Sequence, residues 1–544
     1  MKRREFLLAA GGALGAGAVS GAARAAAATG TPAKAAAGSP NVLFILADQH
    51  NAKVLGHKGH PDVKTPNLDR LAREGVRFDN AISQNCICTP SRVSWLSGQY
   101  CHNHGHYGLS GPQPAGLPSI IGWFRKAGYK TGAVGKIHCP ENWIEEVCDM
   151  FHDTCGSSVG GRSAKYAEYL AERNLTDLED HGAMREFGKR GRQTCEGRPS
   201  KVSYEDGQEG WAVREAIGFM ERCSQAGAPF FMHVSLPKPH QCYTPAQQFW
   251  DLYDESRLTL PPNADYDLAR KAPHMVASAK HWRSGNWTLF EPKTFEAGRL
   301  RKLHGYLGNI SHVDHAVGEL MDWLDKAGLA DNTIVVYSSD HGDYATEHGI
   351  MEKAPGICSD AITRVPCLWR WPGQFKAGHA APELIEAVDL ANTLCALAGI
   401  DKLATVDGKD LSPLLQGEHA ELRQIAVTEF PWSRSIRKGD FRYVYYPREM
   451  FADEYPDGFG ELYNLKTDPW EMNNLFFDSD YAQTLREIEA DFVDWLITTT
   501  RPVTFHPPAP ESAPQTQMHY HHPVNADGKI DYAYIRSARS KNYL

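Results

Sequence analysis

The chain has 544 residues, of which 42% are hydrophobic and 23% are charged, and its formal net charge at pH 7 is −9. This length is enough for a large buried core and for more than one structural unit. The modest acidic charge excludes a broad basic surface for nucleic acid, so a small anionic ligand would need a locally positive pocket.

The first 25 residues have the order of a cleavable export signal. Basic residues at positions 2–4 precede an apolar run rich in Ala and Gly, which ends at Ala23-Arg24-Ala25. The paired arginines resemble a twin-arginine signal, which predicts transfer by the Tat export machinery to the periplasm or the outside of a bacterial cell. A stable membrane anchor is disfavoured because the run is short and broken by glycine. Residues 26–39 are predicted to be a flexible leader.

Short apolar runs predict buried strands in the first half of the chain. Residues 41–47 form one continuous apolar run, which is typical of a strand buried on both faces. Thr65-Pro66 offers an N-cap and a first-turn proline for a helix that ends near Gly75. Further along, a helix is predicted over residues 117–127, and strands are predicted over residues 130–134 and 230–235.

The clearest helix is predicted over residues 304–327. Its apolar residues recur at three-four spacing and form one stripe, namely Ile310, Val313, Val317, Leu320 and Leu324. Gly328 ends this helix, and residues 333–339 follow as a buried strand. Alternating strands and helices predict an α/β domain over residues 40–400, with a mostly parallel sheet flanked by helices.

The pattern changes after residue 400. Residues 435–446 and 461–465 predict two strands, and residues 480–499 predict a helix. We therefore expect a smaller C-terminal α+β subdomain over residues 401–500. Residues 501–544 are rich in proline and are predicted to be a solvated tail.

The chain contains twelve cysteines. An oxidising destination permits disulfides, but the spacing specifies no pairing. The absence of a C-x-x-C pair disfavours a zinc knuckle. His102, His104 and His106 lie close together without the spacing of a zinc site, so they are predicted to be structural or to line a pocket.

The strongest motif is Cys88-Thr89-Pro90-Ser91-Arg92. It resembles the C-x-P-S-R signature of the type I, formylglycine-dependent sulfatases of the alkaline phosphatase superfamily, and the resemblance extends over residues 41–475. It implies an alkaline-phosphatase-like fold and a Cys88 that a formylglycine-generating maturation enzyme oxidises to an aldehyde. In the hydrated aldehyde one hydroxyl attacks sulfur, and the other later loses its proton so that sulfate is expelled.

Two pairs of ligand-type residues follow predicted strands. Asp48-Gln49 comes directly after the first strand, and Asp340-His341 comes directly after residues 333–339. The carboxyl ends of parallel strands face the crevice where α/β sheets bind ligands. The resemblance implies that Asp48, Gln49, Asp340 and His341 hold one divalent cation together with the group at Cys88. Calcium is the expected ion, but Gln49 and His341 replace the more common Asp and Asn, and the imidazole leaves manganese open.

Cationic side chains complete the resemblance. Lys136 and His138 lie in a G-K-x-H motif, His240 follows Pro237-Lys238-Pro239, and Lys353 comes twelve residues after His341. The resemblance implies that Arg92, Lys136 and Lys353 stabilise negative charge in the transition state. It further implies that His138 orients or deprotonates the nucleophile. His240 would assist the leaving group as a general acid.

These motifs predict hydrolysis of a sulfate monoester, which releases sulfate and an alcohol. The expected substrate is a small sulfated molecule, either a carbohydrate sulfate or an aryl sulfate. One alternative keeps the fold and mechanism but acts on phosphonate monoesters or phosphate diesters, because Gln49 and His341 occur in such relatives. Against it, residues 105–112 lack the Asn that those enzymes place after the nucleophile helix. Another alternative is a non-catalytic protein that binds a sulfated ligand.

Overall fold

The computed structural model describes residues 32–36, 38–109, 116–140, 142–154, 164–176, 178, 197–284, 294–353, 358–403 and 405–501. Its main sheet consists of nine strands: β1 (Asn41–Asp48), β2 (Val76–Ile82), β3 (Lys130–Gly135), β4 (Met150–Asp153), β5 (Phe230–Pro239), β6 (Thr333–Ser339), β7 (Arg364–Val365), β8 (Cys367–Arg370) and β9 (His379–Glu386). The strands lie in the order β4-β3-β5-β1-β6-β8-β2-β7, and β9 pairs with β2.

The central strand β1 explains how the sheet is buried. It pairs in parallel with β5 on one side and with β6 on the other, and all eight of its residues are buried. Its side chains alternate between two cores, with Leu43 and Ile45 in one core and Phe44 and Leu46 in the other. Antiparallel pairing involves β8 and β7. The prediction of a mostly parallel sheet is therefore confirmed.

Helices cover both faces of this sheet. In chain order they are α1 (Pro66–Glu74), α2 (Cys88–Ser97), α3 (Cys101–His104), α4 (Ile120–Lys126), α5 (Ala164–Glu172), α6 (Gln208–Gln225), α7 (Gln247–Trp250), α8 (Pro273–Arg283), α9 (Phe295–Lys326), α10 (Asp360–Thr363), α11 (Asp389–Leu397), α12 (Ser412–Leu415) and α13 (Ala482–Thr499). Residues of α1, α6 and α9 pack in the core on one face, and residues of α2, α4 and α11 pack in the core on the other. The part of the chain that contains the main sheet is thus a three-layer α/β unit, as predicted.

The helix predicted over residues 304–327 begins earlier than expected, because α9 starts at Phe295. The first turns contain the buried charged residues Arg299 and Lys302, which interrupt the apolar stripe. Arg299 is held by Asp265, with 2.7 Å between Nη1 and Oδ1. Buried cationic side chains in this segment therefore interrupt the apolar periodicity from which the start of the helix was predicted.

A second sheet follows in the C-terminal part. Its four antiparallel strands lie in the order β10 (Ile425–Phe430), β11 (Ser433–Lys438), β12 (Phe441–Tyr445) and β13 (Gly460–Asn464). The single strand predicted over residues 435–446 is wrong, because the chain reverses at Gly439, whose φ is 52°, and forms a hairpin of β11 and β12. Strand β10 was not predicted. Together with α13, the sheet confirms the predicted C-terminal α+β subdomain.

Several predicted segments lie outside the described residues. These are the signal at residues 1–25, half of the leader at 26–39 and nearly all of the tail at 501–544. In the part of the chain that the structure describes, no helix combines the length and the apolar character needed to cross a bilayer. The boundary predicted at residue 400 stays a prediction.

Candidate active site

Three segments bring predicted metal ligands together. Asp48 ends β1, Asp340 and His341 directly follow β6, and Cys88 begins α2. Because β1 and β6 are parallel neighbours, their carboxyl ends meet at one edge of the sheet. One ligand atom from each of Asp48, Cys88, Asp340 and His341 lies within 4.8 Å of the others, and all four residues are buried. We refer to these four residues as the ligand cluster.

The Cys88 thiol lies in the first turn of α2, a helix in which every residue is buried. Its Sγ is 3.2 Å from His341 Nε2 and 3.9 Å from Asp48 Oδ1. Burial and the Asp48 carboxylate both raise the pKa of the thiol. Lys353 and Lys136 outweigh these two effects, so the pKa of Cys88 lies well below its usual range. The position therefore favours a negatively charged group.

The imidazole of His341 can offer a lone pair to the ligand cluster. Its Nδ1 is 3.0 Å from the Gly342 carbonyl oxygen, which can only accept, so Nδ1 carries the proton. Nε2 lies 3.9 Å from Asp48 Oδ1 and 3.8 Å from Asp340 Oδ1. Burial lowers the pKa of His341, but Asp340 and Cys88 raise it by more. A divalent cation would compete with a proton for Nε2, and two carboxylates with one imidazole fit such an ion.

Arg92 joins both carboxylates of the ligand cluster from the second turn of α2. Its Nη2 donates to Asp48 Oδ2 and its Nε donates to Asp340 Oδ2, each at 2.9 Å. Its Nη1 donates to the Lys136 carbonyl oxygen at 2.6 Å and to Ser235 Oγ at 2.7 Å. The side chain is almost completely buried. The guanidinium thus offsets two negative charges and connects the ends of three strands to the helix that begins at Cys88.

The segment after β3 contributes Lys136 and His138. Lys136 Nζ is 2.6 Å from Asp48 Oδ2, so this ammonium lies at the edge of the ligand cluster. His138 has a left-handed backbone, with a φ of 46°, and its buried Nδ1 makes no hydrogen bond to the described residues. A buried nitrogen without a partner is costly, which favours a role in contacting a ligand.

Gln49 belongs to a ring of polar side chains. Lys353 Nζ donates to Gln49 Oε1 at 2.8 Å, and Gln49 Nε2 donates to Asp343 Oδ2 at 2.6 Å. Gln241 extends the ring, because its Oε1 accepts from Gln49 Nε2 at 3.3 Å and its Nε2 donates to Glu352 Oε1 at 2.6 Å. These partners fix the amide orientation of Gln49. They also hold the Lys353 ammonium beside the ligand cluster.

The sequence did not predict three members of this ring, namely Asp343, Gln241 and Glu352. The only signal was their position, since each lies within three residues of a predicted site residue. Gln49 Oε1 already accepts from Lys353, although a carbonyl oxygen has a second lone pair. Its role as a metal ligand therefore stays a prediction.

His240 follows β5 directly. Its backbone N–H donates to the Asp48 carbonyl oxygen at 3.1 Å, and its Nδ1 donates to the Gln241 carbonyl oxygen at 2.6 Å. Burial lowers the pKa of His240, and Lys136 and Lys353 lower it further, to well below its usual value. The ring is therefore neutral before substrate binds, and it could donate a proton only if the negative charge of a substrate raised this pKa.

Left-handed backbone is concentrated in the loops of the site. Six non-glycine residues there have positive φ, namely Gln49, His138, Ala345, Thr346, His348 and Glu352. Each such conformation is unfavourable for a residue with a side chain and persists only where the surroundings enforce it. The surroundings thus hold the backbone of the loops after β1, β3 and β6 in conformations that orient the side chains of the site.

The histidines at 102–106 have structural contacts. His102 Nδ1 is 3.0 Å from Glu429 Oε1, and His104 Nε2 is 3.0 Å from Ser94 Oγ. Burial lowers the pKa of His104 to about 3. These contacts support the structural role predicted for them.

Comparison with known proteins gives a consistent result. The family model described as Sulfatase matches residues 40–400, and the model described as N-sulphoglucosamine sulphohydrolase, C-terminal, matches residues 346–496. The chain is 26% identical to an N-acetylglucosamine-6-O-sulfatase of Bacteroides thetaiotaomicron, covering 84% of this chain and 86% of that protein. It is 28% identical to an arylsulfatase of Clostridium perfringens, covering 82% and 92%.

Solved structures share the fold. One is a complex of a protein with its substrate D-glucosamine-2-N,6-O-disulfate, with a TM-score of 0.69, 22% identity and coverage of 86% of this chain and 99% of that chain. Another is the phosphonate monoester hydrolase of Agrobacterium radiobacter, with a TM-score of 0.69, 23% identity and coverage of 85% and 96%. At these identities the likeness concerns the fold.

Proposed function

This chain belongs to the sulfatase family and is a sulfuric ester hydrolase, and we propose that it cleaves sulfate monoesters through an aldehyde made from Cys88 beside one divalent metal ion. The observation that carries this proposal is the ligand cluster, which is buried and surrounded by cationic side chains. Such surroundings suit a dianionic or monoanionic ester whose leaving oxygen develops negative charge.

The metal is proposed to be held by Asp48, Asp340, His341 and the oxygen that replaces sulfur at Cys88, with Gln49 as a further ligand. Oxygen donors dominate this set, which makes calcium the expected ion, while the imidazole suits manganese. When bound, the ion would act as a Lewis acid that neutralises charge on sulfate oxygens.

The proposed nucleophile lies where α2 begins, and the positive end of the helix dipole favours negative charge there. The aldehyde, when hydrated, supplies one hydroxyl for attack on sulfur and a second for release of sulfate. Lys136 and Lys353 lie next to the ligand cluster and are proposed to donate to sulfate oxygens. Arg92 is proposed to stabilise charge by holding both ligand carboxylates in place.

Two histidines are proposed to handle protons. His138 has a buried Nδ1 that finds no partner in the described part of the chain, and it is proposed to orient or deprotonate the nucleophile. His240 Nε2 is proposed to take a proton and pass it to the leaving oxygen once substrate charge has raised its pKa. His240 directly follows β5, and His138 lies three residues after the end of β3.

The proposed substrate is a small sulfated sugar. Support comes from the likeness over most of the chain to an N-acetylglucosamine-6-O-sulfatase, while the likeness to an arylsulfatase keeps aryl sulfates as useful test compounds. We further propose that residues 1–25 direct Tat export to the periplasm or the medium, followed by the leader at 26–39. The proposed mature protein has a catalytic domain over 40–400, a subdomain over 401–500 and a tail over 501–544, and a maturation enzyme oxidises Cys88.

The test compares hydrolysis of an aryl sulfate with hydrolysis of the matching aryl phosphonate monoester. The protein is first shown by peptide mass to contain the aldehyde, and Cys88→Ala is the matched control. We expect preference for the sulfate and a loss of turnover of on the order of 10³-fold or more in the variant. Unchanged activity of Cys88→Ala would contradict the proposed nucleophile.

A preference for the phosphonate would instead favour a phosphonate monoester or phosphate diester hydrolase. Two observations support this second function. Gln49 and His341 depart from the more common Asp and Asn, and the fold is shared with a phosphonate monoester hydrolase. The proposed nucleophile and fold would stay the same in that case.

A further inference from the structure

Two buried cysteines lie side by side although they are far apart in the sequence. Cys86 and Cys358 are each 1% exposed, and their sulfur atoms are 3.8 Å apart across a separation of 272 residues. A disulfide requires sulfurs about 2.0 Å apart, so closure by about 1.8 Å would suffice. Small rotations of the two side chains about their Cα–Cβ bonds can supply such a movement.

We propose that Cys86 and Cys358 form a disulfide when the chain folds in the presence of a disulfide oxidant. Each thiol loses its hydrogen, and one S–S bond forms between the two sulfurs. The two electrons and two protons pass to the oxidant, such as glutathione disulfide, whose S–S bond breaks to give two glutathione thiols. This modification is separate from the proposed oxidation of Cys88, and the proposed sulfate hydrolysis does not depend on it.

The backbone on the Cys86 side is held firmly. Asn85 Nδ2 donates to the Glu429 carbonyl oxygen at 2.7 Å, and Asn85 Oδ1 accepts from the Ile87 backbone N–H at 2.9 Å. The side chain just before Cys86 therefore ties this segment to β10 of the second sheet. Ile87 in turn is the residue before the first residue of α2.

The backbone on the Cys358 side is held by the same sheet. The Cys358 carbonyl oxygen accepts from Arg442 Nη1 of β12, and Cys358 Sγ is 3.6 Å from Ser433 Oγ of β11. Both segments are thus attached to the second sheet by a contact that does not involve a thiol, namely the Asn85 side chain on one side and the Cys358 carbonyl oxygen on the other. The two sulfurs are brought together by the fold, so the bond would require little rearrangement.

The bond would fasten the segment that carries the proposed nucleophile. Cys86 lies two residues before Cys88, and Cys358 lies two residues before α10. Closing so long a loop restricts the unfolded chain strongly in the loop-entropy description of disulfides. Oxidation should therefore stabilise the junction between the proposed nucleophile segment and the second sheet.

Peptide mapping of the full chain tests this proposal. Cys88→Ala is the background, because trypsin leaves Cys86 and Cys88 together in the peptide 78–92, whereas Cys358 is alone in the peptide 354–364. The protein is unfolded in urea with reductant, refolded with glutathione disulfide, alkylated without reduction and digested. We expect a linked pair of these peptides, lighter by two hydrogens than their sum, that separates on reduction.

The opposing result is equally clear. If the refolded chain regains its native circular dichroism while both peptides appear separately alkylated, or each joined to glutathione, the proposal is overturned. A linkage of either peptide to some other cysteine would overturn it as well.

A stability measurement provides a second readout. The thermal midpoint of the oxidised chain should fall by on the order of a few °C when reductant is added. Cys358→Ser should lack this response, whereas Cys395→Ser, which removes another buried thiol in α11, should retain it. The same response to reductant in both variants would count against the bond.

Discussion

At the residue scale, Arg92 holds together charges that would otherwise repel each other. Asp48 and Asp340 are both buried, and a carboxylate oxygen of one lies within 4.8 Å of a carboxylate oxygen of the other. The Arg92 guanidinium donates to both, at 2.9 Å each. Burying charges in this way is costly unless each one is paired and hydrogen-bonded. The stability of the unloaded site therefore depends strongly on Arg92, with Lys136 as a second cationic partner of Asp48.

Arg92→Met should destabilise the protein by about 3–5 kcal/mol, because two buried carboxylates lose their common partner. The free energy of unfolding in urea, with a chelator present, measures this loss. Arg70→Met is the control, since Arg70 is 24% exposed and makes its ion pairs at the surface. That control should lose no more than about 1 kcal/mol. Similar losses in both variants would show that Arg92 has no special role.

The proposed metal site makes its ion preference depend on His341. His341→Asn exchanges a ring nitrogen for an amide group, and the Mn²⁺-to-Ca²⁺ affinity ratio should fall by on the order of tenfold. Calorimetric titration of the metal-free protein with each ion gives the ratio directly. An unchanged ratio would remove His341 from the proposed ligands.

The sequence predicted which residues lie at the site better than it predicted the hydrogen bonds that these residues make. Cys88 was predicted from the C-x-P-S-R motif, and Asp48, Asp340 and His341 from residue pairs that follow strands and match the sulfatase resemblance. The structure brings all four together. The contacts of Gln49 with Asp343 and Gln241 could not be predicted. They depend on loops with left-handed backbone, and such conformations leave no periodic signal in the sequence.

At the element scale, the second sheet is fastened to the catalytic part by a buried carboxylate. Glu429 of β10 accepts from His102 of α3 at 3.0 Å, from Tyr107 Oη at 3.0 Å, and lies 3.4 Å from Arg434 of β11. Burial raises the pKa of Glu429, but His102 and Arg434 outweigh it and lower the pKa to about 2. The folded state therefore favours the charged form of this carboxylate.

This lowered pKa predicts a loss of stability in acid. Because the pKa of Glu429 is lower in the folded than in the unfolded chain, its contribution is complete above the usual pKa of 4.5 and is lost as the pH falls toward about 2. The contribution is about 3 kcal/mol. Glu429→Gln should be less stable at pH 7 by a similar amount, and the difference from the unmodified chain should shrink below pH 4.

Denaturant unfolding across this pH range checks the prediction. Glu487→Gln, at an exposed position of α13, should follow the unmodified chain at every pH. A constant difference between Glu429→Gln and the unmodified chain down to pH 2 would contradict the assigned charge.

Elements were predictable where one physical signal dominated. The strand over residues 41–47 is confirmed as β1, since a continuous apolar run requires burial on both faces. The predicted start of α9 is wrong because the first turns of this helix bury charged residues. The single strand predicted over residues 435–446 is wrong because Gly439-Asp440 forms the turn between β11 and β12. Tertiary contacts override local pattern at such points.

At the scale of the whole molecule, the site is assembled by the order of the main sheet. Strands β3, β5, β1 and β6 lie side by side and parallel, so the loops after them all open at one edge. That edge receives Lys136, His240, Asp48 and Asp340 from segments far apart in the chain. Helix α2 adds Cys88 and Arg92 to the same place. The fold thus explains why motifs dispersed over three hundred residues act together.

The most direct test of the central claim relates activity to the aldehyde. Preparations made with increasing amounts of a formylglycine-generating enzyme are assayed for sulfate release from an aryl sulfate, and mass spectrometry of the peptide 78–92 gives the fraction with an aldehyde at position 88. If the aldehyde is the nucleophile, the rate of sulfate release should be proportional to this fraction and extrapolate to zero without it. A rate that stays constant while the fraction changes would contradict the proposed nucleophile.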